Sequence, residues 1–356
     1  MKIGLAGLPN SGKTTIFNAL TRSAAPVTGY SQVHTKPTVS VVDVGDERVR
    51  ALARMYRPKK TTFATLEIVD FAGIRAESLR DETVSAGMLR LVREMDAVAV
   101  VVRNFTNEVG EEPTPARDLS TVEEEFVLAD LMVTEKRIEK IRAGFERGIR
   151  DQQLVAEEKV LTRIAEQLGE TLPIRELELS TDEEKVIKGY QFLTHKPMIV
   201  IVNSSEDVFG ASRRLVEDFK KQYPVVEFAG SFEMELARLD SDEDARAFME
   251  EMGIGESARD RLTRIAYEAL GCISFFTVGE DEVRAWEIRT GSTAVEAAGA
   301  IHSDLARGFI RAECFHCDDL LSLGSEKAVK EKGLMRLEGK EYTVRDGDVL
   351  SIRSGV

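Results

Sequence analysis

Gly7-Leu8-Pro9-Asn10-Ser11-Gly12-Lys13-Thr14 fits the spacing G-x-x-x-x-G-K-[ST], and the chemistry which that spacing serves is the holding of a phosphate chain. Glycines let backbone N–H groups close around α- and β-phosphates, a lysine neutralises β- and γ-oxygens, and the next hydroxyl ligates a hard cation. Lys13 and Thr14 are therefore the candidate phosphate and Mg²⁺ contacts, with Asn10, Ser11, Gly12 and Thr15 completing the cradle. Asp70-Phe71-Ala72-Gly73 closes an apolar run that begins at Leu66. An aspartate there can hold Mg²⁺ through water, while the Gly73 N–H can meet a γ-phosphate. Lys13, Asp70 and Gly73 form the candidate catalytic set, acting by position and charge.

Two later segments have the composition of a base site. Asn203-Ser204-Ser205-Glu206 follows the apolar run Met198 to Val202, where guanine-binding P-loop GTPases carry N-K-x-D. Here the lysine whose stem would cover the base is Ser204, and the carboxylate is the longer Glu206. Asn203 can bond a purine edge through its amide. Ala229-Gly230-Ser231 occupies the place of the last base-contacting loop. Glutamate moves its oxygens outward by one methylene, and adenine has no N2 amine to bury without an acceptor, so the pattern favours ATP over GTP.

These residues need a scaffold that brings strand ends together. Lys2 to Ala6 reads as a buried strand, and Lys13 to Thr21 as a helix with Ile16, Phe17, Ala19 and Leu20 on one face. Further buried-strand runs lie at Val39 to Val44, Leu66 to Val69, Ala97 to Val102, Met198 to Val202 and Val225 to Ala229. Strands alternating with helices predict a mostly parallel, doubly wound α/β sheet. Val122 to Gln167 is nearly free of Gly and Pro and keeps apolar residues three and four apart, which predicts an inserted helical hairpin turning near Gly144 to Gly148. From about Gly271 the texture changes to short strand-like runs at Ile273 to Val278, Arg284 to Ile288, Phe309 to Cys314, Glu341 to Val344 and Val349 to Ile352. The expected division is a P-loop domain over 1–118 and 191–271, a helical insertion over 119–190, and an α+β domain over 272–356.

Composition excludes several classes. At 356 residues, 43% hydrophobic and 31% charged, the chain is globular and long enough for more than one core. Its apolar runs fall well short of a membrane span, and no secretory leader is legible, so the expected setting is the cytoplasm without a membrane partner. Three cysteines, Cys272, Cys314 and Cys317, are expected as reduced thiols. A formal charge of −14 opposes wrapping nucleic acid over the whole surface, leaving only local RNA contact.

The wording of the motifs resembles the YchF group of Obg-related P-loop NTPases, also called Obg-like ATPases, over essentially the whole chain. Gly7-Leu8-Pro9-Asn10, Asp70-x-Ala72-Gly73, Arg93-Glu94-x-Asp96, Leu128-Ala129-Asp130-Leu131, Glu135-Lys136-Arg137, Asn203-x-x-Glu206 and Glu235-Leu236-Ala237 with Leu239-Asp240 carry the likeness. Towards the end, Glu282-Val283-Arg284-Ala285-Trp286, Gly308-Phe309-Ile310-Arg311-Ala312-Glu313 and Asp346-Gly347-Asp348-Val349 are similar to that group's β-grasp-like TGS domain. The resemblance implies a coiled-coil insertion, Mg²⁺ as cofactor, ATP or GTP as substrate, slow hydrolysis, and contact with the ribosome or its RNA through the insertion and the TGS domain.

Departures from the group bear on mechanism. Arg75 to Val92 holds only Gly87, where relatives are glycine-rich. The switch threonine that would reach Mg²⁺ is Thr35 or Thr38, with His34 a third occupant of that segment, and Thr35 is carried forward as the metal candidate. No histidine lies in Arg103 to Pro115, and Ile74 stands where Ras-like enzymes place a glutamine. Without either water-positioning group, the alternative reading is a nucleotide-sensing module, or a GTP-preferring protein, with negligible intrinsic hydrolysis.

Two other features invite a site. Cys314-Phe315-His316-Cys317 offers three soft ligands, but alternation along a strand turns them to opposite faces, and core cysteines explain them better than zinc. His302 reads as structural or as a partner contact rather than catalytic. Lys136, Arg137, Lys140, Arg142, Arg147 and Arg150 against Glu135, Glu139 and Glu146 give a local +3 that could meet RNA phosphates or simply face water.

Overall fold

Six strands carry the turn over residues 7–14, in the order β2-β4-β1-β5-β6-β7. They are β1 (Lys2–Ala6), β2 (Thr38–Asp43), β4 (Thr65–Asp70), β5 (Ala97–Asn104), β6 (Met198–Ser204) and β7 (Val225–Ala229), with a short β3 (Lys60–Thr62) placed elsewhere. This computed structural model describes residues 1–21, 37–71, 91–107, 110–236, 239, 242–251 and 254–355. From β4 through β7 the pairings are parallel. Both faces of such a sheet are covered, which is why β6 is buried at every residue and reads as an unbroken apolar run. Parallel strands also end at one edge, so the residues after β1, β4, β5, β6 and β7 meet there.

Alternation assigns the two faces. Val98, Val100 and Val102 of β5, Val200 and Val202 of β6 and Val225 of β7 pack on Leu119, Val122 and Phe126 of α3 (Pro115–Glu146) and on Val216 and Phe219 of α6 (Arg213–Lys220). The opposite face carries α1 (Lys13–Thr21), which contacts α7 (Gly230–Leu236). Between β2 and β3 the chain builds α2 (Glu47–Tyr56), whose first turn is capped by the Asp46 side chain accepting from the Arg48 N–H.

The long α3 and α4 (Gln152–Gly169) form the expected helical hairpin. Pro115 starts α3 at a position where its missing N–H costs nothing. Gly148, at φ +80°, lets the chain turn, and Asp151 caps α4 by accepting from the Leu154 N–H at 2.8 Å. Ile138 and Ile141 of α3 pack with Leu161, Ile164 and Leu168 of α4, each buried side chain of this kind contributing about 1.5–3 kcal/mol. The hairpin is tied down by α5 (Thr181–Ile187), whose Ser180–Glu183 capping box is reciprocal.

By its internal contacts the chain divides into Met1–Ser40 with Glu67–Arg259, and Val41–Leu66 with Asp260–Val356. The first unit also contains α8 (Asp242–Glu251), and α9 (Ala258–Ala269) begins at its end. The second is built on a mixed sheet, β11-β10-β12-β8-β9-β3, from β8 (Cys272–Thr277), β9 (Glu282–Arg289), β10 (Phe309–His316), β11 (Arg336–Glu338) and β12 (Asp348–Ser354). Residues 60–62 join it because β3 pairs in parallel with β9, Thr62 donating to Glu282 at 2.6 Å. Phe275, Phe309, Ala312 and Leu350 pack on Ala294, Ala297 and Ala298 of α10 (Ala294–Ile301). Short helices α11 (Ser303–Arg307), α12 (Cys317–Leu323) and α13 (Glu326–Glu331) complete it.

One expected strand is replaced by another. Glu341 to Val344 forms no strand; Thr343 makes a single bridge to Thr293, while Tyr342 and Val344 fill the core from a loop. The ladder partner of β10 is instead Arg336–Glu338. Tyr and Val signal burial, and burial does not require a neighbour in the sheet.

Candidate nucleotide site

The turn after β1 has to bring backbone within reach of several neighbours at once. Gly7 has φ +144°, and a Cβ there would stand 2.4 Å from the Val101 carbonyl oxygen; at Gly12, φ +89°, it would stand 2.0 Å from Asn203 Nδ2. Only glycine fits either place. Ser11 is buried, and its hydroxyl finds no partner among the described residues. The first amides of α1 have no acceptor within the helix, so the turn presents donors and a favourable dipole to an anion.

Lys13 is 7% exposed and folds back on the turn, Nζ donating to the carbonyls of Leu8 at 2.8 Å and Gly7 at 3.2 Å. Burial lowers its pKa to about 8, and the nearby Asp70 charge works the other way. A cation held in so dry a place gains strongly from an arriving phosphate. Thr14 Oγ1 donates to Asp70 Oδ2 at 3.1 Å. Register explains the meeting: Leu5, just before the turn, lies beside Asp70 at the end of β4. A hydroxyl and a carboxylate converging on one point are the hard oxygen donors Mg²⁺ takes, so these residues fit that ion.

Asn203, 4% exposed, lies on the α1 face and donates from Nδ2 to the Ser11 carbonyl at 3.0 Å. A Cβ at Gly230 would fall 2.6 Å from its Oδ1, so the start of α7 closes on it. One amide proton is thus committed to bracing the phosphate turn. Gly230 stands beside it and Ala229 lies in register with Ser204, whereas the Ser231 side chain lies outside the described residues. Glu206 is exposed in the turn after β6 and makes no hydrogen bond among the described residues. Ser204 is elsewhere: it is 2% exposed, and by alternation it faces the α3 and α6 side, away from Asn203. Asn10, at φ +63°, and Thr15 complete the turn. Gly73, Ala72, Ile74, Thr35 and His34, and most of the two switch segments, lie outside the described residues; Thr38 opens β2.

Sequence reasoning missed Asn104 and Glu227, which bond to Ser204 below the turn that follows β6. Their signal was there: each is a polar residue at or in an apolar strand run.

The soft-ligand cluster is a cap. His316 Nδ1 accepts from the Asp318 N–H at 3.3 Å and its Nε2 meets the Asp346 carbonyl at 3.0 Å, which occupies both ring nitrogens. Burial and Asp318 push the Cys317 thiol up to about 12, away from the thiolate a metal needs. His302 likewise caps α11, Nδ1 accepting from the Asp304 N–H at 3.2 Å.

Exposed amides, a buried lysine and a paired hydroxyl and carboxylate at the carboxyl edge of a parallel sheet make this a P-loop nucleoside triphosphatase fold. A family model described as 50S ribosome-binding GTPase matches residues 2–134, and the YchF-GTPase C-terminal model, described as a protein of unknown function, matches 272–354. The ribosome-binding ATPase YchF of Bacillus subtilis is 37% identical over 99% of both chains, and its Pasteurella multocida counterpart is 38% identical over 100% of this chain and 99% of its own. A solved structure, that of the Schizosaccharomyces pombe YchF GTPase, superposes with a TM-score of 0.83 at 30% identity, covering 99% of this chain and 97% of the other. The chain belongs to the YchF family. No helix among the described residues is long and apolar enough to cross a membrane.

Proposed function

We propose that the protein is an Mg²⁺-dependent ATPase that works as a slow switch in contact with the ribosome. The observation that carries this reading is the convergence of Lys13, Thr14 and Asp70 at the phosphate turn. Thr14 and Asp70 would hold Mg²⁺, which when bound supplies positive charge against the β- and γ-oxygens. The turn amides and Lys13 orient the phosphate chain and stabilise the charge that develops on it. Gly73 and Thr35 are proposed to complete the γ-phosphate and metal contacts.

The names of relatives divide over the base, bacterial members being called ATPases and the fission-yeast structure a GTPase. Glu206 and the turning away of Ser204 support ATP, since guanine loses both its tuned carboxylate and its cover. Competition of ATP and GTP for a fluorescent analogue at equal Mg²⁺ tests this. ATP is expected to win, and a tenfold preference for GTP overturns the assignment. Intrinsic turnover is expected below about 0.1 per second, because the 103–115 segment brings no histidine. There Arg103 instead pins its own loop, donating to the carbonyls of Phe105 and Glu111.

The ribosome contact is proposed on the exposed cations of the hairpin. Arg137 is not one of them, since it forms a two-pronged bond to Glu157 at 2.9 and 2.7 Å, and Arg142 is paired with Glu158. Lys136, Lys140 and Arg147 remain exposed, spaced by four and seven residues along one helical stripe. Reversing these three charges should reduce co-sedimentation with ribosomes and flatten the slope of log K against log salt by about 2 to 3, one counterion release being lost per phosphate. Unchanged binding and slope return the stripe to a solvated face.

A further inference from the structure

Three side chains from three neighbouring strands meet under the turn that bears Glu206. Asn104 closes β5, Ser204 closes β6 and Glu227 lies within β7, and the register sets Asn104 beside Ser204 in the parallel ladder. Asn104 Nδ2 donates to Ser204 Oγ at 2.8 Å, and Ser204 Oγ donates in turn to Glu227 Oε1 at 2.7 Å. From these anchors the bonds reach up to the turn. Glu227 Oε2 accepts the Gly210 N–H at 3.3 Å, and Asn104 Nδ2 also donates to Ser212 Oγ at 2.9 Å. Within the turn, Val208 and Phe209 donate to the Ser205 carbonyl, and Phe209 packs against the group of Ala229, Phe232 and Leu236. Residues 205–212 are thus held at their start by the strand, in the middle through Gly210, and at their end through Ser212.

We propose that this latch of Asn104, Ser204 and Glu227 sets nucleobase selectivity by fixing the 205–212 turn, and with it Glu206, relative to Asn203 and the phosphate turn. The proposal rests on the nucleotide reading of the site and goes beyond it. Ser204 stands where a base-covering lysine would be, but it works from the other face of the sheet: its single hydroxyl oxygen both accepts from Asn104 and donates to Glu227. Asn203, one residue earlier, points to the phosphate turn, so the adjacent pair couples base turn and phosphate turn through one strand end. Selectivity between purines depends on whether Glu206 and the turn's backbone meet the base edge to within a few tenths of an ångström, which a clamped turn supplies and a loose one does not. The three residues act on the base through the turn they hold, as positioning residues.

The full chain tests this with Ser204→Ala, Glu227→Gln and Ser204→Thr, the last keeping the hydroxyl. Each is titrated with ATP and GTP against a fluorescent analogue, and with inorganic tripolyphosphate as a probe of the phosphate turn alone. Ser204→Ala and Glu227→Gln are expected to bring the ratio of the two affinities at least threefold closer to unity, with tripolyphosphate competition unchanged within twofold. Ser204→Thr is expected to keep the wild-type ratio within twofold. A ratio that stays put in both disrupting variants, or a fall in tripolyphosphate binding that matches the fall in nucleotide binding, overturns the latch. Wild-type protein that binds both purines equally overturns it as well. Wild-type protein that binds neither nucleotide nor tripolyphosphate overturns the underlying nucleotide reading, a result distinct from a flat ratio with binding intact.

Discussion

Lys13→Ala is expected to weaken binding of an Mg²⁺ triphosphate by about 100-fold or more, the loss of two charge-assisted bonds to phosphate oxygens. Binding of the nucleoside alone should hardly change, because it never met the ammonium. The free protein should lose no more than about 1 kcal/mol. Lys13 gives up hydrogen bonds to Gly7 and Leu8, but the fold is also relieved of a cation that burial disfavours. The pH dependence has a definite sign. With its pKa lowered to about 8 in the free protein, Lys13 sheds its proton above that pH, whereas a bound phosphate chain would hold the proton on. Binding then takes up a proton, so apparent affinity falls as pH rises above 8, towards about tenfold per unit. Folding runs the opposite way: the unfolded chain binds the extra proton between about 8 and 10.5, so this residue makes the free protein more stable as pH rises through that window. Isothermal titration from pH 7 to 10 measures the first effect. Equal affinities for wild type and Lys13→Ala, or a wild-type affinity flat across the range, would remove Lys13 from the phosphate site.

What was legible in the sequence is what backbone chemistry dictates locally. Gly7, Gly12 and Lys13 announce their roles because a tight turn, a close approach and a point charge need those residue types whatever surrounds them. The order of the runs at Leu66, Ala97, Met198 and Val225 gives a parallel sheet, and a parallel sheet puts Asp70, Asn203 and Ala229 at one edge without further information. Pairings between distant segments were not legible. Ser204 looks like a base contact until alternation and register turn it towards Asn104 and Glu227, residues 100 positions before it and 23 after it. Arg137 looks like a free cation until the hairpin closes and brings Glu157 across from α4. Lys60 to Thr62 and Arg336 to Glu338 are too short and polar to show a strand period, and only the neighbouring ladders make them strands.

The largest loss of stability is expected from Asp130→Ala, at about 3–5 kcal/mol, the range for leaving one partner of a buried ion pair uncompensated. Asp130 is 0% exposed on α3 and pairs with Arg93 at 2.8 Å. Its other oxygen accepts the Thr194 N–H at 2.8 Å and the Thr194 hydroxyl at 2.9 Å. Arg93 reaches the Ala129 and Gln191 carbonyls as well. One carboxylate therefore joins three segments: the residues leading into β5, the first helix of the hairpin, and the approach to β6. Truncation leaves the Thr194 amide and hydroxyl without their buried acceptor and takes from the Arg93 guanidinium, 15% exposed, its carboxylate partner. Asp130→Asn keeps the volume and an acceptor for Thr194 but not the charge, so its loss should be smaller than that of the alanine variant. Arg142→Ala is the control, since its bond to Glu158 lies 58% and 26% exposed and such pairs contribute about 1 kcal/mol or less. Urea unfolding ranks the three, and hydrogen exchange at the Thr194 amide should speed up most in Asp130→Ala. If Asp130→Ala falls within 1 kcal/mol of wild type, or no further than Arg142→Ala, the buried pair does not hold the hairpin to the sheet.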